Sequence, residues 1–441
     1  MRTLFFAAKV KLLSRLPVSM ARSRLKRAAS AQPAGRYANG EKQMLVDVSV
    51  IIGSDARTGI QRVVRSLLLQ LLIAPPAGYR VRPVFATRRH GYCYAPHDFG
   101  LPGAPVTSIA GALAVKAGPG DIYLGLDLAA HLLPRHQVEL ALWKRSGTKI
   151  HVIVYDLLPV LHPQWFNPKT TRNFRRWLNT IAIFADSIIC ISTTVKAELD
   201  GWLSQRYFLS SGAIPMHVIA LGANIEASAP SRGLPSNLDQ LLRTFGDKPT
   251  VLMVGTLEPR KGHSQVLAAF EQLWQRGRDI NLVIVGKPGW KTEALQQVLR
   301  THPQRAVCLH WLDNASDELL ELLYTRCSGV IVASHAEGFG LPLIEAMHHA
   351  KPVLARNIPV FREVGGNFIT FFSGESTEKF MTDIELWLAN MAMPRALYEA
   401  PRYTWQDSAG ELLECLGLPL QQAALGQAGC GHLPLILKVS A

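Results

Sequence analysis

No run of about 18 consecutive apolar residues occurs anywhere in this 441-residue chain, so no segment reads as a transmembrane helix. The apolar stretch Leu4 to Ala8 is too short for a secretory h-region, which predicts no cleaved signal. No C-x-x-C pair occurs among the six cysteines, Cys93, Cys190, Cys308, Cys327, Cys415 and Cys430. Their apolar neighbours, as in "SIICIS", suit small buried thiols in a reducing compartment. No D-x-D and no His/Cys cluster with metal-ligand spacing is present, so the sequence predicts chemistry without a bound metal or other cofactor.

Charge is also scarce, at 18% Asp, Glu, Lys and Arg against 48% hydrophobic residues, which excludes wholesale disorder. What charge there is leans one way. The formal net charge is +14, and residues 1–36 contain no acid while carrying Arg2, Lys9, Lys11, Arg15, Arg22, Arg24, Lys26, Arg27 and Arg36. An anionic partner follows: a nucleic acid, a membrane surface or a phosphorylated small molecule. The leader interleaves these cations with Leu4, Phe5, Phe6, Val10, Leu12, Leu13 and Leu16. That pattern fits a helix lying in an anionic bilayer surface and fits a basic tail equally well. No nucleic-acid-binding module or aromatic and basic interleaving is recognisable, so no specific nucleic-acid partner is expected.

A chain of this length exceeds what one hydrophobic core usually supports, which predicts two domains. From Met44, apolar runs such as "MLVDVSVII", "DIYLGLD" and "KIHVIVYD" alternate with helix-period segments such as "GIQRVVRSLLLQLL". This is the rhythm of a parallel α/β sheet. The Pro- and Ser-rich stretch from Glu226 to Pro249 interrupts it, and a second series follows with "TVLMVGTL", "INLVIVG" and "GVIVAS". The expected fold class is α/β, with two doubly wound Rossmann-like domains facing a cleft. The plan is a basic leader over 1–43, a first domain over 44–235, a second over 246–400, and a closing helix and tail over 401–441. Ligands of such sheets bind beyond the carboxyl ends of the strands, so the loops after the strands carry the site candidates.

The stretch "EGFGLPLIE" (337–345) follows the strand "GVIVAS". Gly338 and Gly340 permit close backbone approach, and Pro342 suits the first turn of a helix. The free amides there, at Phe339 and Leu341 among others, favour a phosphate. Glu345 suits a vicinal diol such as a ribose, and Glu337 a hydroxyl of a transferred group. A glycine turn with a glutamate answering the helix dipole is the competing reading of the same residues. The nine residues together resemble the retaining glycosyltransferases of family 4, whose GT-B fold carries two glutamates separated by seven residues. The resemblance implies that Glu345 binds the nucleotide ribose, that Gly338, Phe339, Gly340 and Leu341 cradle the donor, and that Glu337 lies near the sugar.

Further loops extend the resemblance. In "VGTLEPRKG", Gly255 ends a strand, and Arg260 and Lys261 form a cationic pair able to hold a diphosphate. The family often has an arginine directly after that glycine, where this chain has Thr256. Trp311 and Leu312 follow a strand where the family wraps the nucleotide base. In the first domain, Gly59 opens a helix carrying Arg62 and Arg65, similar to the family's glycine loop, although Thr58 replaces one glycine. Asp156 follows a strand end where relatives read His-Asp, and is a candidate for binding acceptor or donor sugar. Arg260, Lys261, Glu337 and Asp156 are therefore the catalytic candidates. The resemblance implies an acceptor-side first domain, a nucleotide-sugar-binding second domain and transfer of a hexose, from GDP-mannose above a UDP-hexose or GDP-deoxyhexose, to a cell-surface glycan or lipid-linked glycan; a nonenzymatic glycan-binding scaffold on the same fold is the alternative. The expected location is the cytoplasm, at the inner face of its membrane.

Overall fold

The computed structural model describes residues 10, 16–30, 41–96, 98–101, 111–228, 230–391 and 403–418. Helix α1 (Val18–Ser30) precedes β1 (Lys42–Asp47), α2 (Gly59–Ile73), β2 (Tyr79–Phe85), β3 (Cys93–Tyr94) and β4 (Ile122–Gly125). Then come α3 (Gln137–Ser146), β5 (Lys149–Val154), the one-turn α4 (Leu158–Leu161), α5 (Pro168–Phe184), β6 (Ser187–Cys190), α6 (Thr193–Tyr207) and β7 (Met216–Val218). These strands form one sheet in the order β3-β2-β1-β4-β5-β6-β7, parallel except for the β2–β3 pair.

The second domain begins with α7 (Leu238–Phe245), β8 (Thr250–Val254), α8 (His263–Gln275), β9 (Asn281–Val285), α9 (Glu293–Thr301), β10 (Leu309–Leu312), α10 (Asp317–Arg326) and β11 (Gly329–Val332). It continues through α11 (Leu341–His348), β12 (Val353–Arg356), α12 (Pro359–Gly365), β13 (Thr370–Phe372) and α13 (Thr377–Met391). Its parallel sheet has the order β10-β9-β8-β11-β12-β13. Every residue of β4, β6, β9, β11 and β12 is buried, as unbroken apolar strands require when helices cover both faces. The strand order reverses between β1 and β4 and between β8 and β11. Those two switch points place the loops 48–58 and 255–262 where a ligand is received.

Two segments depart from the sequence plan. The first is α1, within the stretch read as leader, which buries Val18, Ala21 and Leu25 in the first domain's core and packs against α3 and α5. Its Arg22 guanidinium donates to the carbonyls of Ala182 (3.2 Å) and Ala185 (2.7 Å), covering the orphan acceptors at the end of α5. Val10 is buried in the same core and Leu16 packs against it; the leader's residues 1–9, 11–15 and 31–40 lie outside those described. The second is α7, placed in the interdomain stretch, which packs Leu238, Leu241, Leu242 and Phe245 into the second domain. The closing helix is where the plan puts it: α14 (Trp405–Cys415) packs on α2 and seats Trp405, Leu412 and Leu413 in the first domain's core. Residues 419–441 of the tail lie outside the described residues. No helix among the described residues is long and apolar enough to cross a membrane.

Candidate active site

The loops beyond the two sheets meet backbone to backbone. A Cβ built on Gly338 would fall 1.9 Å from the carbonyl oxygen of Tyr155, at the end of β5 in the other domain. Only glycine permits that approach, so its neighbour is first the opposite domain rather than a ligand. The Ser192 hydroxyl caps α6 by accepting from the Val195 amide at 3.1 Å and donates to the Gly338 carbonyl at 2.8 Å. Phe339, from the same loop, is buried among first-domain residues such as Ile153 and Ile191. The amino end of α6 also receives the Glu363 carboxylate from α12. It accepts from the amides of Thr193 (2.5 Å) and Thr194 (2.9 Å) and from the Thr194 hydroxyl (2.7 Å), a capping interaction supplied by the other domain.

At the turn after β8, a short 3₁₀ segment, Pro259–Lys261, brings Arg260 and Lys261 side by side. Glu258 accepts from Arg260 Nε at 2.8 Å. Both cations reach Glu337: Arg260 Nη1 lies 2.7 Å from Oε2, and Lys261 Nζ pairs with Oε1. Burial alone would raise the Glu337 carboxyl, but Arg260 and then Lys261 overcome it and hold the group down at about 2. Gly255 packs against the Lys261 stem, its notional Cβ 3.6 Å from the chain. The predicted cationic pair and first glutamate thus form one compact group.

The second glutamate has partners that sequence reasoning missed. Glu345 is only 2% exposed; its Oε1 pairs with Arg62 of α2, and its Oε2 accepts from the Tyr324 hydroxyl at 2.8 Å. Arg62 also holds Asp317 at 2.6 Å, and Asp317 in turn accepts from the amide (2.8 Å) and hydroxyl (2.7 Å) of Ser231. The only sequence signal was the position of Arg62, three residues beyond Gly59 on the helix facing the second domain. Gly59 is where predicted, and a Cβ there would touch Leu341 Cδ1 at 3.4 Å. Thr58, in place of a glycine, has a positive role: it is the N-cap of α2 in a reciprocal capping box with Gln61. Gly340 adopts φ +107° at the cap of α11.

Asp156 is half-buried beside Gly338 and Arg260. Burial pushes its carboxyl up, opposed by Arg260. Its Oδ1 accepts from the Leu158 amide at 3.0 Å, and among the described residues Oδ2 has no hydrogen-bond donor. Trp311 and Leu312 stand apart from the cluster. They lie on the edge strand β10, three strand spacings from β11, roughly 14 Å at about 4.8 Å per strand. The Trp311 indole donates to the Gly286 carbonyl at 2.9 Å, and the Arg300 guanidinium lies 5.1 Å from its ring centre. It supports the loop after β9, a structural role that the position after a strand did not reveal.

Two facing parallel sheets with convergent loops define the GT-B glycosyltransferase architecture. Sucrose-phosphate synthase from Thermosynechococcus elongatus shares it, with a TM-score of 0.58 at 19% identity, covering 85% of this chain and 99% of that one. Residues 237–403 match the family described as Glycosyl transferases group 1. The chain is 30% identical over 338 residues to the D-inositol 3-phosphate glycosyltransferase of Rhodococcus opacus, covering 71% of this chain and 72% of that one. It is 40% identical over 390 residues to the Serotype-specific mannosyltransferase WbdA of Escherichia coli, covering 85% of this chain and 46% of WbdA. The chain therefore spans about half the length of the WbdA proteins it matches. It belongs to the group 1 glycosyltransferase family.

Proposed function

We propose that this chain transfers mannose from GDP-mannose, with retention of configuration, to a cell-surface glycan or its lipid-linked precursor. The observation that carries the proposal is the presence of two ion-paired groups at the domain junction, Glu337 with Arg260 and Lys261, and Glu345 with Arg62, in a chain 40% identical to a mannosyltransferase. A nucleotide diphosphate can replace Glu337 as the partner of Arg260 and Lys261, freeing that carboxylate for a sugar hydroxyl. The ribose diol can replace Arg62 on Glu345. Each step exchanges partners: the two carboxylates then accept from hydroxyls, and Arg62 keeps Asp317 as its counter-charge.

In this scheme Arg260 and Lys261 stabilise the charge that develops on the departing diphosphate, and the free Asp156 oxygen accepts from a sugar hydroxyl. Attack on the face from which the nucleotide departs needs no enzymatic nucleophile, and the departing diphosphate takes the acceptor proton. Turnover without a divalent metal follows from the same cations. Loss of turnover in a chelator, restored by Mg²⁺, would contradict that part. The site of action is the cytoplasmic face of the membrane, where nucleotide sugars and lipid-linked glycans meet.

The test is nucleotide release measured over GDP-mannose, GDP-deoxyhexoses, UDP-glucose and UDP-N-acetylglucosamine. Release from GDP-mannose that both Glu345→Ala and Lys261→Ala abolish is the expected result. Release from UDP-sugars alone would overturn the donor assignment.

A further inference from the structure

Away from the cleft, the first domain carries a concentration of positive charge with no carboxylate among the described lining residues. A cavity of about 560 Å³ lies between α5, the end of α6 and the segment after β4. Arg135, Arg175, Arg176 and Arg206 line it together with His131 and Trp202, and no acidic side chain does. A second cavity of about 390 Å³ shares Arg175 and Arg176 and adds Arg172. None of these five guanidinium groups forms an ion pair or side-chain hydrogen bond among the described residues. By contrast, Arg57, Arg62, Arg65, Arg260, Arg276 and Arg278 all lie within 4.0 Å of a carboxylate.

Like charges gathered without compensation lower stability, and neither cleft chemistry nor core packing requires these side chains. Burial and then the neighbouring Arg88, Arg135 and Lys169 push the His131 imidazolium down, as a positive potential at this surface would. Guanidinium forks match phosphate oxygens bidentately, and both volumes fall in the small-ligand range of about 300–1,000 Å³. The groove begins at Pro163 and Pro168. Trp165, between them, accepts from the Trp290 indole of the second domain at 2.7 Å, so this end adjoins the domain junction.

We propose that the paired arginine-lined cavities on α5 and α6 bind a phosphodiester or diphosphate group, at a site separate from the nucleotide-sugar cleft. Two sources present that chemistry, a lipid headgroup and a free phosphate. Phe208 separates them. It follows the cavity-lining Tyr207, is 87% exposed and holds φ +53°, so a lipid-borne phosphate would bring acyl chains against it while a soluble one would not.

The experiment is calorimetric titration of inorganic pyrophosphate into the full chain carrying Lys261→Ala, which removes a cation from the cleft. It is repeated after adding Arg175→Ala, Arg176→Ala and Arg206→Ala, and after adding the three lysine substitutions instead. Co-sedimentation of the same proteins with phosphatidylcholine vesicles, with and without phosphatidylglycerol, runs beside it. The alanine variant is expected to bind pyrophosphate at least roughly tenfold more weakly, because charge-assisted hydrogen bonds are lost. The lysine variant, keeping charge without the fork, should recover only part of this. A lipid source adds retention on phosphatidylglycerol vesicles that both the arginine substitutions and Phe208→Ser reduce. A free-phosphate source leaves pyrophosphate binding alone sensitive. Pyrophosphate binding that is absent, or equal in the parent and alanine proteins, overturns the proposal. Nucleotide release by the arginine variants with Lys261 intact should equal that of the unsubstituted chain. A chain without nucleotide release whose pyrophosphate binding still depends on the arginines would overturn the donor reading and keep this site.

Discussion

Glu337 is pulled in opposite directions. Burial favours its neutral form, and two cations within ion-pairing distance favour the carboxylate. The cations prevail, so its folded value near 2 lies below the ordinary 4.5. The pairing therefore stabilises the fold fully above pH 4.5, and the contribution is lost as pH falls toward 2. A shift of this size corresponds to on the order of 3 kcal/mol. Urea unfolding followed across that window should show the acid loss in the parent and a flatter profile in Glu337→Gln; parallel profiles would exclude the coupling. Gly338 gives a second prediction at this scale. Because an added Cβ would lie 1.9 Å from the Tyr155 carbonyl, Gly338→Ala must push the loop away from β5. A displacement near 1 Å can reduce turnover on the order of 100-fold, so nucleotide release should fall by about that factor while the thermal midpoint of each domain moves little.

Among the elements, α1 changes most in meaning between sequence and structure. Its cations looked like a membrane or tail signal, yet Arg22 faces inward onto the last carbonyls of α5, and Val18, Ala21 and Leu25 are core. Hydrogen bonds from a charged donor contribute about 1.5–3 kcal/mol. Arg22→Ala should therefore lower first-domain stability by about 2 kcal/mol in a denaturant titration, with Arg22→Lys between it and the parent. An unchanged midpoint would show that α1 is dispensable to the domain. The strands, by contrast, were legible because apolar residues at successive positions report burial on both faces. The capping box of α2 was equally available, since Thr58 and Gln61 are three residues apart. Reading that threonine as a missing glycine overlooked its local hydrogen bonds.

For the whole molecule, the question is what holds two domains in register. The contacts at the cleft rim are few and exposed, as with Lys287 Nζ to the Ala56 carbonyl at 3.1 Å and Lys291 Nζ to the Gln164 carbonyl at 2.7 Å. Such contacts contribute little individually. Arg62 differs, because it is largely buried and ties α2 to both α10 and α11. Arg62→Ala should loosen the domains, seen as a larger radius of gyration in solution scattering and faster amide exchange in residues 337–345. Lys287→Ala should leave both near the parent values. Equal behaviour of the two variants would show that backbone contacts such as Gly338 against Tyr155 set the register alone.

The sequence by itself determined the α/β class, the two sheets, the loops that carry the candidate site and the proximity of Arg260 to Lys261. Each follows from patterns within a few residues, where backbone periodicity and local capping dominate. Only the tertiary structure decided that Glu337 closes onto that cationic pair, that Arg62 reaches Glu345 across 283 positions, and that Ser192 bonds Gly338 across 146. It also decided that Trp311 supports a loop and that Arg22 is interior. Those outcomes depend on which surfaces the two domains present to each other. Charge compensation and close backbone approach act through space, and no spacing along the chain encodes them.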